Sequence, residues 1–367
     1  MGNGKKLLLL SVGYGQGHHA AAAATAEELT ARGWQCRIVD PCCEAHPFVF
    51  GISQAYYRFC VRRAPELWAV TYAMTDAADW THCVRWPLLR EATEYIEQQL
   101  QEWQPDLIIC TYPLFAYMLD DIAARSGRRQ RYAMLVTDAI AVSSPWMKSQ
   151  APLVFVPDAL THAQVTARYG LPAERVIPAG FPVRRAFIPS ALPCPEETTL
   201  RILYACYISR RRSLAQVEAM LAEFPHARIT VLAGDFAPLF RRYFAAAVTA
   251  GRLTILEQTE EMHRLFATHH VYIGKAGAAT VFEGYSARIP LFINYALPGQ
   301  EQGNLELLER DGAGRFISST ADLLTSLHAL CSKGSGSWEH YRNAQRAAAR
   351  SGAAARIADA VERKWFS

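Results

Sequence analysis

Gly274–Asn304 reads GKAGAATVFEGYSARIPLFINYALPGQEQGN. It follows a short apolar run, Val271–Ile273, and opens with a turn of small residues, Lys275-Ala276-Gly277-Ala278-Ala279. The pattern predicts a helix from about Thr280 to Ala287. A strand over Ile289–Asn294 then leads into Pro298-Gly299-Gln300-Glu301. In an open α/β sheet both loops lie beyond the carboxyl ends of parallel strands, where ligands bind. Small residues let backbone N–H groups approach an anion, and a helix start adds a favourable dipole. Glu283 falls about one turn inside that helix, within reach of a sugar hydroxyl. Gln300 and Glu301 add an amide and a carboxylate. An anion cradle, a hydroxyl acceptor and a polar loop together suit a nucleotide sugar.

Composition sets the frame for this stretch. The chain of 367 residues is 51% apolar and 20% charged, long enough for two domains with a core each. No run of about eighteen apolar residues occurs, so no bilayer-spanning helix is expected. The N-terminal MGNGKKLLLLSVGYG has too short an apolar run for a signal peptide and reads as a buried first strand entering a glycine loop. The nine cysteines are scattered without CxxC or zinc spacing, which points to reduced thiols in the cytosol; adjacent Cys42-Cys43 read as packing residues. No metal site is expected. The net charge of +4 does not suggest a nucleic-acid protein, though local basic clusters favour an anionic surface.

Working outward, Lys5–Val12 reads as a strand, Gly13–Gly17 as a glycine turn, Ala20–Arg32 as a helix and Trp34–Asp40 as the next strand. This βαβ start predicts a right-handed crossover and a parallel sheet. Further strands are expected at Pro105–Tyr112, Arg131–Thr137 and Pro152–Val156. Proline-rich Gly180–Glu197 reads as a linker. A second α/β series then begins at Leu200–Cys206 and reaches the opening stretch through Arg228–Ala233, Leu253–Glu257 and Met262–Ala267. The expected organisation is a first domain over 1–180, a second over 181–338, and an Ala/Arg-rich helical tail, 339–367, packing back on the first. Two similar α/β domains with a ligand loop in each predict a cleft between them.

Between the early strands, Pro41–Leu100 differs in character. It is rich in aromatics, among them Trp68, Tyr72 and Trp86, and in arginines, with Arg58, Arg62 and Arg63 near helical spacing. One reading is helices packed on the sheet with solvated charges. The other is a surface that meets anionic lipid headgroups with aromatics at the interface.

Three further constellations bear chemistry. Gly13-Tyr14-Gly15-Gln16-Gly17-His18-His19 permits close backbone approach, with His18 as a general base or hydrogen bonder to an acceptor hydroxyl. A helix-capping histidine and a dinucleotide loop are its rivals; two adjacent histidines on a helix diverge and make a poor metal pair. Asp138 ends a buried-looking strand, where a carboxylate is a site candidate. Arg210-Arg211-Arg212 follow the first strand of the second series, and Arg210 is a candidate phosphate contact.

These motifs converge. The chain resembles the monogalactosyl- and glucosyl-diacylglycerol synthases, glycolipid glycosyltransferases of the GT-B fold related to the GlcNAc transferase of peptidoglycan lipid synthesis. The resemblance is carried by Tyr14-Gly15-Gln16-Gly17-His18, Thr137-Asp138 with Trp146 downstream, and Gly180-Phe181-Pro182-Val183. Above all it rests on Lys275-x-Gly277, Glu283, Pro290, Pro298-Gly299-Gln300-Glu301, Asn304 and Gly312. It implies two Rossmann-like domains facing across a cleft. It implies a UDP-sugar bound mainly by the second domain, with Glu283 on the ribose, Lys275, Gly277, Ala278, Ala279 and Thr280 on the diphosphate, and Gln300 and Glu301 on the sugar. Gly17, Pro298, Gly299, Asn304 and Arg210 complete the expected donor set. A lipid acceptor at the first domain, the inner face of the cell membrane as location, and no cofactor or metal for the chemistry follow from the same likeness. Inversion at the anomeric carbon requires one base: His18 first, Asp138 second, as the base or its partner. Three positions depart from the family pattern: Ser143 stands where a histidine is common, Ala205–Arg210 lacks the usual glycines, and Gly277-Ala278 replaces a glycine pair.

The leading expectation is therefore an inverting hexosyltransferase acting on a lipid hydroxyl. A transferase with a soluble acceptor, a nucleotide-sugar-binding regulator without turnover, and, least favoured, a nicotinamide dehydrogenase are the alternatives.

Overall fold

The computed structural model describes residues 4–332, 336–349 and 352–367; the side chain of Arg62 lies outside the described residues. Two six-stranded sheets form its frame. The first comprises β1 (Lys6–Leu10), β2 (Gln35–Val39), β3 (Leu107–Cys110), β4 (Tyr132–Leu135), β5 (Leu153–Phe155) and β6 (Val176–Ile177), in the order β2-β1-β3-β4-β5-β6. The second comprises β7 (Arg201–Ala205), β8 (Arg228–Leu232), β9 (Leu253–Leu256), β10 (Val271–Lys275), β11 (Leu291–Tyr295) and β12 (Gly314–Phe316), in the order β12-β11-β10-β7-β8-β9. Every strand pairing is parallel. The unbroken Leu7–Leu10 run follows from this, because helices cover both faces of a parallel sheet and all four leucines are buried.

In each sheet the strand order reverses beside the first strand, between β1 and β3 and between β7 and β10. Loops leaving such neighbours diverge and open a crevice. The loop after β1 leads into the helix that carries His18, the loop after β3 carries Thr111, and the loop after β10 carries Gly277.

The opening stretch is tighter than its sequence suggests. β10 runs on to Lys275, which pairs with Tyr295 across a register shift, and the helix begins at Ala278. Only Ala276 and Gly277 form the turn. The Ala276 amide donates to the Tyr295 carbonyl (3.0 Å), and that bond draws the loop short.

The insert between β2 and β3 is wholly helical: Pro41–Ala45, Pro47–Arg63, Pro65–Ala77, Trp80–Cys83 and Pro87–Trp103. Four of these five helices open with proline, whose fixed φ and missing N–H suit the first helical position. The tail forms two helices, Ser337–Ala348 and Ala353–Trp365. The second lies on the helix Gly17–Ala31, burying Ile357, Ala358 and Val361 in a cluster with Leu7, Leu9 and Ala21. At its rim Arg32 pairs with Asp359 (2.6 Å) and Glu362 (3.0 Å), and the Trp34 indole donates to Glu362 (3.0 Å). No disulfide joins cysteines among the described residues.

Candidate active site

His18 is the second residue of the helix Gly17–Ala31 and is buried. Its Nδ1 lies 2.6 Å from the carbonyl oxygen of Thr111 at the end of β3, and 3.2 Å from Thr137 Oγ1. A carbonyl only accepts, so Nδ1 carries the proton and Nε2 of the neutral ring keeps its lone pair. Burial lowers the His18 pKa to about 4, against the opposing pull of the Thr111 carbonyl. Tyr112 and Trp146 pack around the ring, with centroids at 5.3 and 6.2 Å. His19 points elsewhere, its Nδ1 2.9 Å from Ser11 Oγ.

Asp138, just beyond β4, is also buried, and its Oδ2 accepts from the Trp146 indole (3.2 Å). Burial pushes its pKa up to about 7; Trp146 opposes the shift and Glu301 adds to it. Thr111, not Asp138, orients the His18 ring.

Across the crevice, Gly277 is the N-cap of the helix Ala278–Ala287 and no side chain caps it. The first turns of this helix and of Gly17–Ala31 share one apolar cluster, Ala20–Ala22 with Ala278 and Ala279. Lys275 Nζ sits 2.5 Å from Glu301 Oε1, with both side chains largely buried. Burial alone lowers a lysine pKa; here Glu301 reverses that and raises it well above the ordinary value. Glu301 Oε2 accepts from the Leu297 amide (3.1 Å), so the Pro298–Gln300 loop is closed by one carboxylate. Glu283 is buried and receives no hydrogen bond among the described residues; burial pushes its pKa up to about 8, with Arg184 opposing. Gln300 Oε1 is likewise without a partner there. Arg210 is exposed at the start of the helix Arg210–Glu223, beyond β7.

Asn304 occupies a different position from the rest of the expected donor set. Its Oδ1 accepts from Ala139 in the first sheet's loop (3.2 Å), and its Nδ2 donates to the Ala276 carbonyl (3.1 Å).

The five described residues of the group expected on the helical insert do not form one surface. Trp68 packs edge-on to Tyr57 (4.9 Å), and Tyr72 lies against the Pro298–Gln300 loop. Gly299 there has φ +81°, and a Cβ on it would stand 3.0 Å from the Tyr72 ring. Trp86, by contrast, is 63% exposed, and Arg58 and Arg63 face solvent. The exposed apolar side chains of the insert are Phe48 (78% exposed), Ile52 (56%), Phe59 (50%), Leu67, Val70 and Met74 (68%); sequence reasoning counted Phe48 and Phe59 among the insert's aromatics but missed Ile52, Leu67, Val70 and Met74. Their spacing, 48-52-59 and 67-70-74, is helical and was the available signal. Thr111 had no role in the sequence reading, and Tyr14 stood there only as part of the glycine-loop motif. Tyr14 bonds Ser53 (2.5 Å) and packs on Phe50, tying the glycine loop to the helix Pro47–Arg63.

Two parallel sheets whose switch points share one crevice define the GT-B architecture. MurG of Acinetobacter baumannii aligns with this chain at a TM-score of 0.61 and 16% identity, over 98% of this chain and 99% of that one. The UDP-GlcNAc 2-epimerase of Neisseria meningitidis, bound to UDP-GlcNAc, aligns at 0.60 and 12%, over 98% and 100%. Residues 18–183 match the family model described as monogalactosyldiacylglycerol (MGDG) synthase. The processive diacylglycerol beta-glucosyltransferase of Bacillus cereus (strain B4264) is 24% identical over 340 residues, covering 89% of this chain and 85% of that protein. The chain is a sugar-transferring enzyme of GT-B fold, similar in sequence to the MGDG synthases and the diacylglycerol glucosyltransferases.

Proposed function

We propose that this enzyme moves a hexose, with inversion, from a UDP-sugar to a hydroxyl of a diacylglycerol-type lipid at the cytosolic membrane face. The observation that carries the reading is the facing of two elements: His18, with its Nε2 unprotonated, and the uncapped helix start at Gly277. A base and an anion cradle on opposite walls of one crevice are what in-line displacement at an anomeric carbon needs.

In this mechanism Nε2 of His18 takes the acceptor hydroxyl's proton as its oxygen attacks C1 from the face opposite UDP. The C1–O bond to the β-phosphate breaks and its electron pair leaves with UDP. The helix-start amides stabilise the charge that develops there. Glu283, protonated near neutrality by its raised pKa, can both donate to and accept from ribose hydroxyls. In this reading Gln300, whose Oε1 has no partner among the described residues, takes a sugar hydroxyl. No metal is invoked.

The lipid end of the reading is supported by the exposed side chains of Phe48, Ile52, Phe59, Val70 and Met74, with Arg58 and Arg63 beside them. Apolar residues at a bilayer surface flanked by cations suit anionic headgroups. The similar diacylglycerol glucosyltransferases point the same way.

A donor-by-acceptor screen read by mass spectrometry tests the proposal. UDP-hexoses crossed with diacylglycerol and with soluble alcohols are expected to give hexosyl-diacylglycerol. Products confined to soluble acceptors, or none from folded protein that binds UDP, contradict it.

A further inference from the structure

The turn that follows Asp138 is held from two sides. Ile140 has φ +57°, a left-handed conformation that a β-branched residue rarely adopts. Its amide donates to Thr161 Oγ1 (2.9 Å), and Thr161 is fixed in turn by donating to Asp158 (2.6 Å). Those anchors belong to the first sheet's own helices and loops. The amide just before, Ala139, is held from across the crevice by Asn304 Oδ1.

The other end of the same carboxamide reaches the carbonyl of Ala276, the residue after Lys275. One fully buried side chain therefore joins the backbone beside Asp138 to the backbone beside the helix start at Gly277. The neighbourhood is shaped for this approach. A Cβ on Gly303 would sit 2.1 Å from the Ala139 carbonyl oxygen and 2.9 Å from the Ala141 nitrogen. Leu307, one turn on, packs with Ala139 and Ile140.

We propose that Asn304 is a positioning residue that sets the Asp138 turn against the donor loop when the two domains close. The inference rests on the reading of those loops as the two walls of a transferase site. Parting of the domains would leave the Ala139 amide to water and the strained turn with one anchor instead of two, so closure and alignment of the turn are one event. The chemistry demands an amide. Aspartate can accept from Ala139, but it sets a carboxylate oxygen against the Ala276 carbonyl, and alanine makes neither bond.

Asn304→Ala, Asn304→Asp and Gly303→Ala are the variants to compare in the full-length protein, each checked by thermal unfolding. UDP affinity by calorimetry should stay within about threefold of wild type, because Lys275, Glu283 and the helix start lie in one domain. The kcat should fall about 10- to 100-fold, the scale of a small misalignment at a reacting centre. Aspartate should rescue nothing, and Gly303→Ala should reproduce the loss with Asn304 intact. Small-angle X-ray scattering with UDP should show a larger radius of gyration for each variant than for wild type. A kcat within twofold of wild type for Asn304→Ala overturns the inference, as does a loss that appears wholly as weaker UDP binding. If wild type itself turns over no donor–acceptor pair, the transferase reading fails separately. Scattering then decides the tie alone, and identical UDP-bound profiles for wild type and variants overturn it.

Discussion

At the residue scale, three buried ionisable groups carry the account, and their protonation can be read out. His18 is held neutral by burial, with a pKa near 4, whereas Asp138 is pushed to about 7. If His18 is the base, kcat/KM holds as pH falls through 7 and declines only near 4. An acid limb near 7 that disappears in Asp138→Asn would transfer the role. His18→Ala should lower kcat by about 10²- to 10⁴-fold, the usual contribution of a positioned base, with UDP binding by calorimetry unchanged. Glu283 gives a stability signature. Its pKa rises from 4.5 to about 8 on folding, so between those values the native state holds a proton that the unfolded chain has lost. Stability from this group is full below 4.5 and is lost as pH rises, at about 1.4 kcal/mol per unit at most. Glu283→Gln has no such dependence. Its melting temperature relative to wild type should therefore climb from pH 5 to pH 8; a gap that stays flat would contradict the buried, unpartnered carboxyl.

At the scale of elements, the helices Pro47–Arg63 and Pro65–Ala77 face two ways. Inward, Tyr57 and Val61 pack with Leu297, and the Tyr295 hydroxyl donates to the Val61 carbonyl (2.7 Å), so this hairpin touches both domains. Outward, it presents Phe48, Ile52, Phe59, Val70 and Met74. Replacing Phe48, Ile52 and Met74 together by serine should abolish flotation with anionic vesicles while leaving UDP affinity unchanged. Wild-type protein that stays unbound on such vesicles would favour a soluble acceptor. The Lys275–Glu301 pair ties the end of β10 to the loop after β11. Each charge neutralises the other, and Glu301 also closes the Leu297 turn. Breaking a buried pair strands its partner, which costs about 3–5 kcal/mol.

At the scale of the whole molecule, much of the fold was legible because it is written locally. Leu7–Leu10 announces a buried strand and the glycine loop its turn. The strand, turn and helix of Gly274–Asn304 were legible for the same reason, since Lys275, Gly277 and Glu283 lie within nine residues of one another. What escaped the sequence is what depends on long-range approach. His18 finds its orienting carbonyl 93 positions away at Thr111, and Asn304 reaches Ala139 across 165 positions. Neither leaves a periodicity or a motif. Composition alone could not divide the aromatics of Pro41–Leu100 into inward Trp68 and Tyr72 and outward Phe48, because the two sets differ only in which helical face meets the crevice. The tail is a milder case: its helix-forming residues were plain, but the seat of its second helix on Gly17–Ala31 depends on Arg32, Trp34 and their acidic partners. The central claim is transfer of a hexose, with inversion, to a lipid hydroxyl. Its most direct test is the proton NMR spectrum of lipid recovered after purified protein acts on an α-linked UDP-hexose and diacylglycerol. The account predicts a hexosyl-diacylglycerol whose anomeric proton shows the large coupling of a β-linkage; an α-linked product, or no glycolipid from folded protein that binds UDP, would contradict it.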